Sequence, residues 1–446
     1  MTSVTTAEAG TATGAGKGLS PMAMLVLGGM LFSMFFGAGN LILPPLLGLQ
    51  AGSEAVPAVA GFLVAGIGLP VLGIIAVALC GNIQQLAGRV SPRFAAVFVA
   101  LIYLTIGPFL AIPRTSTTAF EMMAPLLDDA GSSPLAIAIF SVLFFAIAFA
   151  LALRPGMLSR ILGRFSAPAL ILLIITVVGA VLICGPYDIP AVQPHYAEQP
   201  AIEGFFTGYQ TMDLLAALCF GIVVAANVRE QGITEPGKTA RTICIAGVIA
   251  GALMAAIYCG LAFVGATAGG VAEGATNGAA ILSAQANAHF GTAGSVIVAA
   301  IFLLACLNVC TGLISCCSEY FAGVFPRIKL PVWAGIFAIF SCCVSLVGLD
   351  AILAFSAPLL GVLYPPAIAL VVMGMMHGLC DRCPRVWAWT VLAVAAYSII
   401  DAIRGIVDPL AVLPVPGASL GLGWIVVALV AAAAGVIHSL LDKRRA

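Results

Sequence analysis

The chain has 446 residues, of which 62% are hydrophobic and only 8% charged, and its 18 basic residues balance its 18 acidic ones. Soluble domains carry about 25% charged residues, so this composition excludes a soluble globular protein and points to an all-α integral membrane protein. With zero formal net charge and no dense basic run, no nucleic-acid partner is expected; membrane lipid is.

Residues 1–20, rich in Thr, Ala and Gly, lack the basic and apolar regions of a secretory signal and read as a disordered cytoplasmic tail. Beyond them, apolar stretches long enough to span a bilayer lie near 21–49, 56–80, 94–124, 134–153, 165–185, 204–226, 242–267, 293–319, 331–349, 352–376, 386–404 and 421–441. That makes about twelve transmembrane helices at roughly 20 residues each. The runs are continuously apolar and lack the short alternation of outer-membrane strands, which excludes a β-barrel. They form one membrane domain over 21–441, followed by a basic cytoplasmic end at 442–446.

The first span is interrupted where a membrane helix should be most regular, by FFGAGNLILPP at 35–45. Gly37, Gly39, Asn40, Pro44 and Pro45 weaken helical hydrogen bonding and free backbone groups. At bilayer depth, free backbone is tolerated where it is buried in protein or lines a cavity, which suggests a site for a small polar solute or ion. A packing kink is the other reading.

Along the third span, Arg114 and Glu121 stand seven residues apart, on one helix face but too distant for a direct pair. Asp213, in TGYQTMDLLAALCFG of the sixth span, is a natural partner for Arg114. Intramembrane charges are costly and usually functional, so Arg114, Glu121 and Asp213 are candidates for gating or structural ion pairs. Glu319 and Asp401 lie nearer helix ends, where snorkelling is easy. Of the thirteen cysteines most sit within apolar stretches as small hydrophobes, and disulfides are not expected. Cys380 and Cys383 form a lone CxxC without the second pair or histidine that a zinc site needs. His195, His289, His377 and His438 are scattered, and no phosphate loop or paired metal motif appears, so the chain does not read as an enzyme.

Two chain-wide patterns organise the spans. Lys17, Arg89, Arg93, Arg154, Arg160, Arg164, Arg229, Lys238, Arg241, Arg327, Lys329, Arg382, Arg385, Lys443, Arg444 and Arg445 fall in alternate connections or at the termini. The intervening connections carry Glu54, Asp128, Asp129, Asp188, Glu198, Glu203, Glu273, Asp350 and Asp408. Both termini are therefore expected in the cytoplasm. The pair Phe36 and Gly37 recurs as Phe220 and Gly221, at the same offset as the starts of the first and sixth spans. This suggests a five-plus-five inverted repeat, about 21–185 and 204–376, with two extra helices in 386–441 and two broken helices facing each other.

FFGAGNLILPPLLGLQAG (35–52), GPFLAIPRT (107–115), GYQTMDLLAALCFGIV (208–223), NGAAIL (277–282) and YPP (364–366), in this order, resemble the branched-chain amino acid:cation symporter family, the BrnQ-type permeases of bacteria. The resemblance covers nearly the whole chain. It implies a LeuT-like fold with helices one and six broken. It also implies import of leucine, isoleucine and valine across the inner membrane with a cation, usually sodium, and no further cofactor.

By the same resemblance, GAGN at 37–40 matches the turn in which amides at Ala38 and Gly39 hold the substrate carboxylate. Asn40 would ligate sodium, the carbonyl of Phe35 would accept from the ammonium, and that of Phe36 would face a second cation. On helix six, Thr211, Met212, Asp213, Leu214 and Leu215 would supply carbonyls to the ammonium, with Thr211 also towards the cation. Phe36, Ile112 and Phe220 would line the side-chain subsite. On helix eight the second cation site would draw on Ala305, Asn308 and Thr311, but Asn308 and Val309 stand where the fold's pattern has two hydroxyl residues. That departure leaves proton coupling through Glu121 or Asp213 as an alternative, beside a same-fold carrier of another neutral solute.

Overall fold

The helices begin where the sequence supplies caps. Ser20 Oγ accepts from the Ala23 amide at 3.2 Å, Asn82 Oδ1 from Gln85 at 2.7 Å, Ser91 Oγ from Phe94 at 3.1 Å and Asn277 Oδ1 from Ala280 at 2.9 Å. Each satisfies one of the amides that a helix start leaves without an internal acceptor, and prolines at first-turn positions, as at Pro21 and Pro92, need none. The computed structural model describes residues 20–127, 133–153, 167–185, 188–230, 232–233, 235–272, 274–406 and 415–445. The expected tail before residue 20, with Lys17, lies outside them, as do Asp128, Asp129, Arg154, Arg160, Arg164, Glu273 and Asp408.

Among the described residues, each of the twelve expected spans meets a helix or a pair of half-helices. In chain order these are α1 (Pro21–Phe35), α2 (Ala38–Ala51), α3 (Ala55–Leu63), α4 (Leu69–Cys80), α5 (Ile83–Gly88), α6 (Pro92–Leu104), α7 (Ala111–Met123), α8 (Pro134–Ala152), α9 (Ala167–Cys184) and α10 (Pro194–Glu198). There follow α11 (Pro200–Tyr209), α12 (Asp213–Glu230), α13 (Pro236–Ala266), α14 (Gly278–Phe290), α15 (Thr292–Val324), α16 (Leu330–Ser345), α17 (Leu349–Met375), α18 (His377–Cys380), α19 (Arg385–Ile406) and α20 (Gly423–Arg445). By length and composition, eight helical stretches among the described residues suffice to cross a membrane. Exposed Val142, Leu143, Leu172, Ile183, Leu429 and Val430 supply the apolar outer face that lipid requires.

The broken pairs α1/α2 and α11/α12 lie at the centre. Helix α13 packs along both α1 and α2, α3 packs on α11, α4 on α12, and α15 on α7. The last two helices pack on each other, and α19 packs on α17. The CxxC connection, with both cysteines half-buried, is held by Asp381, which pairs with Arg89 at 2.7 Å and accepts from Trp387 Nε1 at 3.2 Å.

Three local features depart from the sequence reading. The first break is confined to Phe36 and Gly37, and α2 continues through Pro44 and Pro45. The third span is also broken: in a π turn over Thr105–Phe109 the backbone of Gly107 is non-helical, Pro108 follows it, and the helix restarts at Ala111. The NGAAIL segment opens a separate helix, α14, whose Asn277 cap also donates to Glu121 at 3.0 Å.

Close packing rests on small residues. A Cβ added to Gly204 would meet the backbone of Ala58, with the carbonyl carbon at 2.7 Å, and one added to Gly61 would meet the Ala201 carbonyl carbon at the same distance. These reciprocal contacts let α3 and α11 touch through their backbones, the usual solution where lipid offers no hydrophobic drive between helices. We expect Gly204→Val to destabilise the protein by about 3 kcal/mol through overpacking, read as a lower melting temperature in detergent. Gly179→Ala, which has nothing within 4 Å of the new carbon, should stay within about 0.5 kcal/mol of the parent.

Candidate functional site

At the first break Phe36 turns out of the helix (φ −75°, ψ 94°), Gly37 is extended (φ −126°, ψ −161°), and α2 starts at Ala38. The Gly37 amide is taken by Asn40 Oδ1 at 3.4 Å. First-turn amides of a helix have no internal acceptor, so Ala38 and Gly39 present donors and the positive helix end to whatever lies before them. Valine 309 on α15 packs against Gly37, where a Cβ would stand 2.9 Å from its Cγ2.

The second break falls at residues 210–212, upstream of the Phe220 and Gly221 pair that echoes the first in sequence. Gly221 lies inside α12, packed on Val77. Met212 carries the turn with φ 64°, the one positive φ outside glycine among the described residues. Thr211 Oγ1 donates to the Gly208 carbonyl at 2.9 Å and accepts from the Asp213 amide at 3.3 Å, securing both sides of the turn.

A polar triangle joins the two breaks. Asn40 Nδ2 donates to Asp213 Oδ2 at 2.6 Å and to the hydroxyl of Tyr258, which in turn donates to Asp213 Oδ2 at 3.4 Å. All three residues are buried. Tyr258 belongs to α13, so the triangle fixes α2, α12 and α13 together.

Between the breaks lies a cavity of about 30 Å³. Its polar lining comes from Gly37, Ala38, Gly39, Asn40, Thr211 and Asp213, with Arg114 and Thr115 from α7. Its apolar wall includes Met34, Phe35, Ile106, Phe220 and Leu313. Phe35 and Phe220 approach edge to face, with centroids 6.0 Å apart.

Of the residues singled out from sequence, the cavity gathers Phe35, Gly37, Ala38, Gly39, Asn40, Arg114, Thr211, Met212, Asp213 and Phe220. Phe36, Ile112, Leu214 and Leu215 are buried but do not line it. Phe36 instead stacks between Phe32 and Tyr258, at 4.9 and 6.5 Å. Ala305, Asn308 and Thr311 also lie outside the lining, buried on α15, with Thr311 Oγ1 donating to the Leu307 carbonyl at 2.6 Å.

Arg114 and Asp213 share the cavity without a direct ion pair: Asp213 is held by Asn40 and Tyr258, whereas Arg114 Nη1 donates to the Gln210 carbonyl at 2.7 Å. Glu121 stands apart with Asn277. Exposed Glu319 and the surface pair Asp401 and Arg404, at 4.0 Å, fit the helix-end reading. Sequence reasoning did not pick out Met34, Ile106, Ala111, Thr115, Ala216 and Leu313, which with Val309 complete the lining. The adjacent Gly107 and Pro108 could have revealed that the third span bends inwards at Ile106 and Ala111.

The family model described as branched-chain amino acid transport protein matches residues 20–442. The chain belongs to that family. Its relatives include the branched-chain amino acid permease BrnQ of Corynebacterium glutamicum, 40% identical over 94% of this chain and 95% of that one. The permease BraB of Bacillus subtilis is 35% identical over 93% and 95%, and BrnQ of Escherichia coli 34% identical over 93% and 95%. Among solved structures the fold resembles Mhp1, a nucleobase-cation-symport-1 family transporter seen with bromovinylhydantoin bound (TM-score 0.60, 15% identity, 93% of this chain and 91% of that one). It also resembles MhsT in complex with L-phenylalanine (TM-score 0.53, 13% identity, 96% and 99%). The chain is thus a multi-pass membrane transporter of LeuT-like fold and not an enzyme.

The contacts dictate which cavity residues couple energetically. In double-mutant cycles on thermal stability, Asn40→Ala and Asp213→Ala should be non-additive by more than about 1 kcal/mol, because they share a hydrogen bond. Arg114→Ala and Asp213→Ala, without a direct contact, should couple less. Equal or reversed couplings would show that the triangle does not hold the breaks together.

Proposed function

We propose that this transporter imports leucine, isoleucine and valine across a bacterial inner membrane, coupled to sodium, with both termini cytoplasmic. The observation that carries the reading is the cavity at the two helix breaks in a member of this family. The cavity lining combines backbone donors and buried charge with aliphatic and aromatic side chains. The donors of Ala38 and Gly39 suit a carboxylate at a helix start, while the Asp213 side suits an ammonium. Met34, Ile106, Phe220 and Leu313 suit a branched aliphatic side chain, and such a wall discriminates a single methylene by only about 1–3 kcal/mol, consistent with one carrier for all three substrates.

For the coupling ion we place one sodium near Asn40 and Thr211 and a second between the carbonyls of the first break and Ala305, Asn308 and Thr311. A hydroxyl that donates to a carbonyl, as Thr311 does, keeps lone pairs for a cation. We divide the domain into repeats of about 21–185 and 204–376 with two added helices. The second reading, proton coupling through Asp213, is favoured by one observation: a buried carboxylate faces the cavity itself.

Counterflow of labelled leucine in proteoliposomes, competed by isoleucine and valine but not by nucleobases, is the expected result; competition by an unrelated neutral solute instead would reassign the substrate. A Cβ at Gly39 would press on the Arg114 guanidinium and stand 3.4 Å from Thr211 Cα. We therefore expect Gly39→Val to insert normally yet lose leucine uptake by about 100-fold or more, whereas unchanged uptake would make the break a mere kink. For the ion, Asn308→Ala should raise the sodium concentration for half-maximal leucine binding by about 10-fold, with little effect at saturating sodium. Linkage requires leucine to tighten sodium binding by the factor by which sodium tightens leucine. Leucine binding that ignores sodium but follows pH would move coupling to Asp213 or Glu121.

A further inference from the structure

We propose that Arg114 is the receptor for the substrate carboxylate, reading its charge with the guanidinium while the start of α2 supplies accessory donors. The inference rests on the amino-acid reading above and assigns one residue of that site. Arg114 is 3% exposed, yet no carboxylate lies within 4 Å of its nitrogens among the described residues. Nη1 is held by the Gln210 carbonyl at 2.7 Å, at the carbonyl end of α11. Nε is buried without a hydrogen-bond partner. The other terminal nitrogen lies against Gly39, in the first turn of α2, and the side chain lines the cavity.

Two positive features therefore stand side by side away from water: a guanidinium with five donors and the amide end of a helix. A buried charge in this state is expensive unless a partner completes it. A planar carboxylate is that partner by geometry, since the guanidinium fork takes two oxygens at once. Asp213 does not fill that role in this arrangement: no pair with Arg114 forms within 4 Å, and its Oδ2 is bonded by Asn40 of α2 and Tyr258 of α13. The cavity thus carries charges of both signs that make no ion pair within 4 Å, Arg114 beside Gly39 and Asp213 bonded to Asn40. An α-amino acid zwitterion matches that arrangement with its carboxylate on the first and its ammonium on the second.

The test is equilibrium binding to the purified full chain, comparing each amino acid with its amide, which keeps the ammonium and the side chain but removes the anionic group. Leucine with leucinamide, alanine with alaninamide and phenylalanine with phenylalaninamide form the panel, run in wild type, Arg114→Gln and Arg114→Lys. Wild type should prefer the acid of whichever pair it binds by about 100-fold, in line with losing one partner of a buried charge pair. Arg114→Gln should weaken the acid by about 100-fold, leave the amide nearly unchanged and so collapse the ratio, with Arg114→Lys intermediate. Thermal melting checks folding, and the lysine variant keeps the test alive if the glutamine variant is unstable.

An acid-to-amide ratio that survives both substitutions, even with weaker binding throughout, overturns the assignment and leaves Arg114 as a brace for Gln210. Leucine binding that requires chloride in wild type and loses that requirement in Arg114→Gln would show an inorganic anion at the guanidinium and overturn it equally. Binding of alanine or phenylalanine but not leucine, with a collapsed ratio, would refute the branched-chain reading while upholding Arg114. Binding of an uncharged nucleobase or hydantoin and of no acid would refute both.

Discussion

The hydrogen bonds that Asn40, Asp213 and Tyr258 make with one another are the constraint on which the centre of this protein depends. Two helices interrupted at membrane depth expose backbone polar groups and the ends of two dipoles, and hydrocarbon offers nothing to satisfy them. The breaks can persist only if they answer each other. Asn40 does this in both directions, its oxygen capping Gly37 and its nitrogen reaching Asp213 at the start of α12. Tyr258 closes the figure from α13, the helix that also packs along α1 and α2. The same bonds that make the breaks tolerable therefore fix how far apart they stand, and hence the size of the cavity between them.

That spacing propagates outward through residues chosen for smallness. Gly39 must lack a side chain because Arg114 and Thr211 occupy the space, Gly37 because Val309 does, and Gly278 because the Ile42 backbone does. The break in the third span acts on the same centre from another side. After α6 the π turn with Gly107 and Pro108 interrupts the span, and α7 restarts three residues before Arg114, whose guanidinium reaches the Gln210 carbonyl at the second break. A continuous helix through 94–124 would not need that interruption. Function and packing are thus written in the same glycines and prolines.

Much of this was legible in the sequence, for physical reasons that differ from part to part. Long apolar runs have one stable form in a bilayer, so the twelve stretches marked by length alone each meet a helix or a pair of half-helices. The first break was visible because Gly37 and Asn40 combine backbone freedom with a side chain able to cap. The second was visible only through its neighbours. Met212 adopts positive φ without being glycine, so nothing in its identity announces the turn, and the tempting echo of Phe36 and Gly37 at Phe220 and Gly221 marks a packing contact instead. Arg114 and Asp213 were recognisable as intramembrane charges, but which atoms they hold depends on Gln210 and Tyr258, whose roles arise only from the fold. Glu121 illustrates the same limit: its partner is the cap of a helix, α14, that the hydropathy pattern does not set apart.

The cavity's size connects this architecture to transport. At about 30 Å³ it is closer to the room taken by one water than to a leucine, so a branched amino acid can enter only if part of the wall withdraws. The triangle ties the two breaks together, and the small-residue contacts bring α3 and α11 into backbone contact. The side-chain part of that wall includes Phe35 and Phe220, which meet edge to face. A ligand shifts such an equilibrium only by binding one arrangement better than another. A zwitterion that engages both Arg114 and Asp213 favours the arrangement of the wall that brings both charges to it, so the charges that cost most to bury are also those through which a substrate can select a conformation.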